Sequence, residues 1–457
     1  MRIMFFLLLI SLLFFYGRQP ILASDFNSFG LHLTQPSDID SAAKIINSNG
    51  GDWGYATIVI RTDQLDVNTW QGFFNQCRKL HIIPIIRLAT TMENDQWKKP
   101  EYSDIDNLAI FLNSLNWPVI PKYIIPFNEI NHAKEWGGEI NIKDFVDKFI
   151  YTSEKFIALD KNFFILSTPL DLAPPDKIPI TKSASQTYRE IYNYNPKYFD
   201  SFHGLASHSY PNQAFIGTPS DTHAHSIKGY LWELDFIKKL GIQKTYPVFI
   251  TETGWPHREG KVKNNHYYSV KTSAKFLKEA LGIWEKEPRI KAVTPFTYNY
   301  SEPPFDVFSW LQPDGQLYPE YQQIVDLPKK QNHPEQITSW QVTGIRLPFF
   351  IFTGHLQNGS LNLKNSGQSI WGETNFCINN QSSNNVVADH LCTQKIFTYP
   401  GQIQKFNFSF TVQSASDNSF LQWQNTPRYE ITAINPSATL YHPKDNFFNR
   451  IFSFLKN

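Results

Sequence analysis

Between residues 28 and about 325 the chain alternates two hydrophobic patterns. Short apolar runs rich in β-branched residues fall at 28–33, 56–61, 82–88, 123–127, 163–167, 202–207, 247–251 and 292–298. Each run is four to eight residues long and ends at a polar junction, the signature of a buried strand. Between them lie stretches with apolar positions at helical spacing: 38–47, 68–80, 104–115, 142–159, 188–193, 227–240, 269–286 and 320–325. Strands that alternate with helices pair in parallel, because a parallel connection needs a long crossover. Eight such units over about 300 residues predict a (β/α)8 TIM barrel at 25–327. An open doubly wound sheet is the alternative, but no Gly-rich phosphate loop follows any run.

After Leu327 the pattern changes. Residues 328–337 are polar and carry Pro328 and Pro334, which predicts a linker. Residues 338–442 show short alternating segments punctuated by Gly, Asn, Ser and Pro, which predicts an all-β sandwich. Within it, Asn365, Gly367 and Trp371 resemble the Asn-x-Gly…Trp signature of immunoglobulin-like accessory domains. The overall class is therefore α/β, a barrel followed by an all-β, immunoglobulin-like domain. The aromatic-rich tail, 443–457, suits packing on that domain, or a helix that meets a membrane surface or a partner. At the other end Arg2 precedes an almost wholly apolar stretch from Met4 to Tyr16, too short for a comfortable membrane span. Residues 1–24 read as a signal peptide or signal-anchor, so the body of the protein is expected outside the cytoplasm, secreted, periplasmic or at the cell surface.

Composition narrows the function. The chain has 457 residues, a net charge of +1 and no basic block, which argues against a nucleic-acid partner. Aromatic residues make up 15 %, more than a core alone asks for, and suit a protein that handles weakly charged faces such as sugars. Of three cysteines, Cys77 lies in a helical stretch and reads as a buried apolar residue. Cys377 and Cys392 could pair in an exported protein. No Cys/His spacing fits zinc, and Asp221, His223 and His225 read as a solvated loop, so neither metal nor cofactor is expected.

The candidate chemistry sits where the strands end. In a barrel, functional side chains gather at the C-terminal ends of the strands. The seventh run ends in Glu252, followed by Thr253, Gly254, Trp255 and Pro256, which cannot easily continue a strand. The fourth ends in Asn128 and Glu129. Arg61 and Asp63 follow the second, Arg87 the third, Asp171 the fifth, His208 and Tyr210 the sixth, Tyr298 and Asn299 the eighth. Two carboxylates at one mouth are what glycosidic cleavage needs, one to protonate the leaving oxygen and one to attack the sugar carbon.

Three motifs resemble clan A of the glycoside hydrolases, retaining enzymes on (β/α)8 barrels: Phe127-Asn-Glu-Ile, His208-Ser-Tyr210 and Ile250-Thr-Glu-Thr-Gly-Trp-Pro256. The Glu-Thr-Gly-Trp-Pro wording is similar to plant-type β-1,3-glucanases, whereas 128–138 looks more like galactanases and β-xylosidase-like enzymes. The resemblance implies a β-linked oligo- or polysaccharide substrate, with Glu129 as acid/base and Glu252 as nucleophile. It implies that Asn128 bonds a sugar hydroxyl, that Tyr210 tunes Glu252 and that His208 lines the sugar site. Arg61, or in competition Arg87, would stand beside the nucleophile. The clan's Trp after strand eight is missing here, so Tyr298, Tyr300 or Trp310 would substitute. Trp136 and Trp255 are further candidate sugar platforms. A surface barrel that binds glycan without cleaving it, or a transglycosylase, are the alternatives.

Overall fold

The computed structural model describes residues 27–373, 376–393 and 396–435. The expected signal segment at 1–24 and the tail at 443–457 lie outside the described residues. Two compact units divide between Glu335 and Gln336. The stretch expected as a linker is split accordingly. Its first part is built into the first unit, where the buried Asn332 amide donates to the carbonyls of Asn27 and Trp53, each at 2.7 Å.

The first unit contains all eight expected strands: β1 (Gly30–Leu33), β2 (Gly54–Arg61), β3 (Ile82–Ala89), β4 (Lys122–Pro126), β5 (Phe163–Ile165), β6 (Leu205–Ser207), β7 (Val248–Ile250) and β8 (Ile290–Val293). β1 to β5 form one parallel sheet and β6 to β8 another, each in sequence order. Parallel bridges from Leu166 to Gly204 and from Phe29 to Val293 join the two at both edges, so the strands follow one another round a ring. Helices α1 (Ile39–Ile46), α2 (Val67–Lys79), α3 (Tyr102–Ser114), α4 (Ile142–Leu159), α5 (Ala184–Tyr194), α6 (Gly229–Lys239), α7 (Val270–Trp284) and α8 (Gln322–Val325) alternate with them. Their starts are written in the sequence: Asp66, Asn141, Ser183 and Ser269 each accept a backbone N–H of the first turn.

Strand side chains alternate between two cores, as the period of two requires. Tyr55, Ile85, Ile125, Phe249 and Ala292 cluster together inside the ring. Their neighbours Ala56, Ile86, Ile124, Val248 and Val293 pack with the helices. The inward row on β3 runs Ile83, Ile85 and then Arg87, so the same alternation that fills the core aims a guanidinium at the mouth.

The second unit is all-β. Strands β9 (Trp340–Arg346), β10 (Leu356–Asn365), β11 (Val386–Ala388) and β12 (Ile403–Val412) form one antiparallel sheet in the order β9-β10-β12-β11. On β12 Phe406, Phe408, Phe410 and Val412 are buried and their neighbours face outward. The other ladders of this unit are two residues long, so opposite the sheet lie short pairs and loops rather than a full second layer. Asn365 is fully buried and organises the turn after β10: its amide donates to Ser369 and Thr398, and its oxygen accepts from Gly367. Cys377 and Cys392 face each other across one short ladder and are disulfide-bonded. Cys77 is buried and free.

Candidate active site

Glu252 stands just past β7, where Gly254 turns the chain with φ +134°, an angle open to glycine. Its carboxylate is nearly enclosed, 12 % exposed, and is held from several sides. Nη1 of Arg87 donates to Oε1 at 3.2 Å and the Tyr210 hydroxyl donates to Oε2 at 3.1 Å. Nε2 of His32 lies 3.7 Å from Oε1, and Nδ1 of His208 lies 3.8 Å from Oε2. Burial alone would push this carboxyl up. The cationic field of His208, then Arg87, outweighs it and holds Glu252 below its ordinary value.

Glu129 follows β4 through a backbone forced off the strand, with φ +66° at Phe127 and +21° at Glu129. Non-glycine residues in that region store strain, and such strain gathers at functional sites. Oε1 of Glu129 pairs with Nδ1 of His208 at 2.6 Å. One nitrogen thus serves both acids. Burial would lower His208, but the fields of Glu252 and Glu129 together hold it above its usual value. Glu129 is the more open acid, 20 % exposed.

Arg61 does not reach this centre. Val59 is the residue that pairs with Arg87 in the β2–β3 register, so Arg61 stands two residues further toward the rim. There it is one-third exposed and forks onto Asp63 at 2.8 and 2.9 Å. The cation beside Glu252 is Arg87. The expected platforms also need correction. Trp255 is 2 % exposed and its indole donates to the Gly217 carbonyl at 2.7 Å. Trp136 is 1 % exposed, packs against Phe127 and Phe145, and donates to Asp144. Trp310 is buried in a stack on Tyr321, and Tyr298 is buried too. Phe296 is half-open, 5.1 Å from the His32 ring, and Tyr300, half-open as well, lies 6.4 Å from Phe296.

Three further residues belong to the site. His32 on β1 is buried with neither ring nitrogen hydrogen-bonded among the described residues, and burial drives it down to about 4, a neutral imidazole facing Glu252. Its signal in the sequence is one polar residue inside an apolar strand. Glu135 lines a small cavity with Arg87 and Asn128, and burial with the field of Glu129 raises it to about 7. His132 and Asp171 bond at 2.9 Å, and together with Glu129 they bring ligand-type atoms within 4.8 Å of one another. Glu135 and His132 lie in the loop after β4, where no periodic pattern points to them. Asn128 is half-buried between Glu129 and this cavity, with its Oδ1 unpartnered among the described residues.

No protein-family model matches the chain, and no curated protein sequence matches it. Solved structures similar to it include a monomeric β-xylosidase from Caulobacter crescentus CB15, at 10 % identity and TM-score 0.45, covering 84 % of this chain and 96 % of that one. A glucosidase from Croceicoccus marinus shares 7 % identity at TM-score 0.49, covering 85 % and 96 %. The β-glucanase SdGluc5_26A from Saccharophagus degradans shares 13 % at TM-score 0.41, covering 66 % and 87 %. All three scores fall below 0.5, so the architecture rests on strand order and the bridges that close the ring.

Proposed function

We propose that the ring is a (β/α)8 barrel of clan A type, and that the protein is a glycoside hydrolase cleaving a β-linked glycan with retention. The observation that carries this is the shared imidazole: Glu129 and Glu252 approach one nitrogen of His208 at 2.6 and 3.8 Å. Oxygens that meet at one atom suit the short separation of a retaining pair, about 5–5.5 Å, better than the about 6.5–9.5 Å that an inverting pair needs for its water. Glu252, kept ionised by His208 and Arg87, is the nucleophile and attacks the anomeric carbon. Glu129 protonates the leaving oxygen, then takes the proton of the water that releases the covalent glycosyl–enzyme. Asn128 and His32 are placed to bind sugar hydroxyls, and Phe296 offers the apolar face that Trp255 and Trp136 do not.

The apolar segment at 1–24 supports an exported protein; among the described residues no helix is long and apolar enough to cross a membrane. The test is sugar release from β-glucans, galactans, xylans and mannans. Wild type should act on at least one, and Glu252→Gln should lose turnover by more than about 10³-fold while still binding. Full turnover in that variant would remove Glu252 from the reaction.

A further inference from the structure

A cavity of about 600 Å³ lies between the loops that follow β5 and β6 and the helices α5 and α6. Asp171 joins it to the two acids. This residue lines the cavity, and its carboxylate bonds Nε2 of His132 at 2.9 Å and comes within 4.8 Å of a Glu129 oxygen. Its backbone pairs with that of His208, whose imidazole both acids approach. Glu252, Arg87 and His32 do not line the cavity. The space therefore begins on the Glu129 side of the pair.

The side chains around it are half-buried rather than sealed, Trp232, Phe215 and His225 among them. Trp70, Trp117, Trp136, Trp255, Trp284 and Trp423 each donate their indole N–H to a protein oxygen. The Trp232 indole has no acceptor among the described residues, and its Nε1 is not closed off from solvent. The His225 ring meets that of His223 edge-on at 6.1 Å and has no hydrogen-bond partner among the described residues. Its backbone is fixed all the same, because the His225 carbonyl accepts from the Asn212 N–H at 2.8 Å. Burial, then the field of His223, holds this imidazole below its ordinary value, so near neutral pH it carries one donor and one acceptor. Asn212 and Gln213 add amides, and no lysine or arginine lines the cavity.

We propose that this cavity holds the leaving-group side of the substrate, and that the leaving group is a neutral sugar unit. This assignment rests on the reading of Glu129 as the acid. Glu129 must reach the glycosidic oxygen, so the group beyond that oxygen lies on its side, where the cavity begins. When the bond from the anomeric carbon to that oxygen breaks, the leaving sugar departs as an alcohol with the proton from Glu129. A sugar gives a hydroxyl acceptor to the Trp232 N–H and donors and acceptors to His225 and the amides. Its C–H groups suit the exposed parts of the Trp232 and Phe215 rings. With Asp171 at the inner end and no lysine or arginine, the lining disfavours a uronic acid. The size falls within the range of small-ligand pockets, about 300–1,000 Å³. The substrate is then an oligo- or polysaccharide rather than the glycoside of a small alcohol.

The test uses the full-length protein and two substrates that differ in the leaving group. One is a tetrasaccharide, whichever of cello-, laminari-, xylo-, manno- and galactotetraose is cleaved. The other is the 4-nitrophenyl β-glycoside of the matching trisaccharide, read by nitrophenol release. Trp232→Phe keeps a ring and removes the N–H, and His225→Ala removes the unpartnered imidazole. In each variant the ratio of kcat/KM on the tetrasaccharide to kcat/KM on the nitrophenyl glycoside should fall at least about tenfold, the order of one lost hydrogen bond to a substrate. Damage to the fold would lower both rates and leave their ratio. An unchanged ratio in either variant, with wild type cleaving both substrates, overturns this assignment alone. If wild type cleaves neither these substrates nor the polymers, the hydrolase reading fails and this assignment fails with it.

Discussion

At the scale of single residues, His208 and Arg87 decide the character of Glu252. An acid this enclosed would ordinarily hold its proton; here two neighbouring cationic groups reverse that. Arg87→Met should therefore lower kcat/KM by about 10²-fold, the order seen when one preorganised electrostatic partner is removed. It should also shift the acid limb of the pH profile upward. The depressed pKa of Glu252 rises when the cation is gone, so protonation of Glu252 should abolish turnover at a higher pH than in wild type. Arg61→Met, exposed at the rim, should change kcat/KM by no more than about twofold. A pH series of kcat/KM on both variants checks the contrast. Trp255→Phe should cost about 1–2 kcal/mol of stability, through the lost bond to Gly217, and leave KM unchanged. A raised KM at wild-type stability would restore Trp255 as a sugar contact. The acids, Asn128, His208 and Tyr210 were legible in the sequence because each closes an apolar run. His32 was not, since one histidine in a strand looks the same whether it faces the core or a substrate. The tryptophans misled because an indole's size suits a buried packing site as well as a platform.

At the scale of elements, strand ends were easier to read than loops. Every expected strand and helix of the first unit has its counterpart, because period two and period 3.6 leave distinct marks and Ser, Asn and Asp caps punctuate them. The choice between Arg61 and Arg87 needed the β2–β3 register, which no single-strand pattern contains. Glu135, in the short helical turn Ala133–Glu135, and His132 just before it were out of reach for a different reason: their places depend on how that loop folds back over the mouth. In the second unit the alternation on β12 gave the sheet, while two-residue ladders left too little pattern to place the rest. What those short pieces lack in ladder hydrogen bonds the disulfide offsets in part. It closes a loop spanning 15 positions, and Cys377→Ser with Cys392→Ser should destabilise the second unit by about 3 kcal/mol. Calorimetry should show that unit's transition falling while sugar release at 25 °C is kept. An unshifted transition would mean that packing around Trp371 and Phe376 suffices.

At the scale of the molecule, the chain joins a ring of eight parallel strands to an all-β unit with a cavity of its own. The first gathers charge: two acids, a shared imidazole and one guanidinium at the mouth of a parallel ring. The cavity of the second is lined by Trp340, Trp371 and Phe376 and by no charged side chain among the described residues. The units divide between Glu335 and Gln336, inside the stretch expected as a linker, and Asn332 before that division satisfies backbone carbonyls of the first unit. The covalent role proposed for Glu252 is tested most directly by trapping. The enzyme is incubated with a 2-deoxy-2-fluoro glycoside of whichever sugar the substrate panel identifies, then digested and mapped by mass spectrometry. One sugar adduct per chain is expected, on the peptide carrying Glu252 and absent in Glu252→Gln; an adduct on Glu129, or turnover with inverted anomeric configuration and no adduct, would contradict that role.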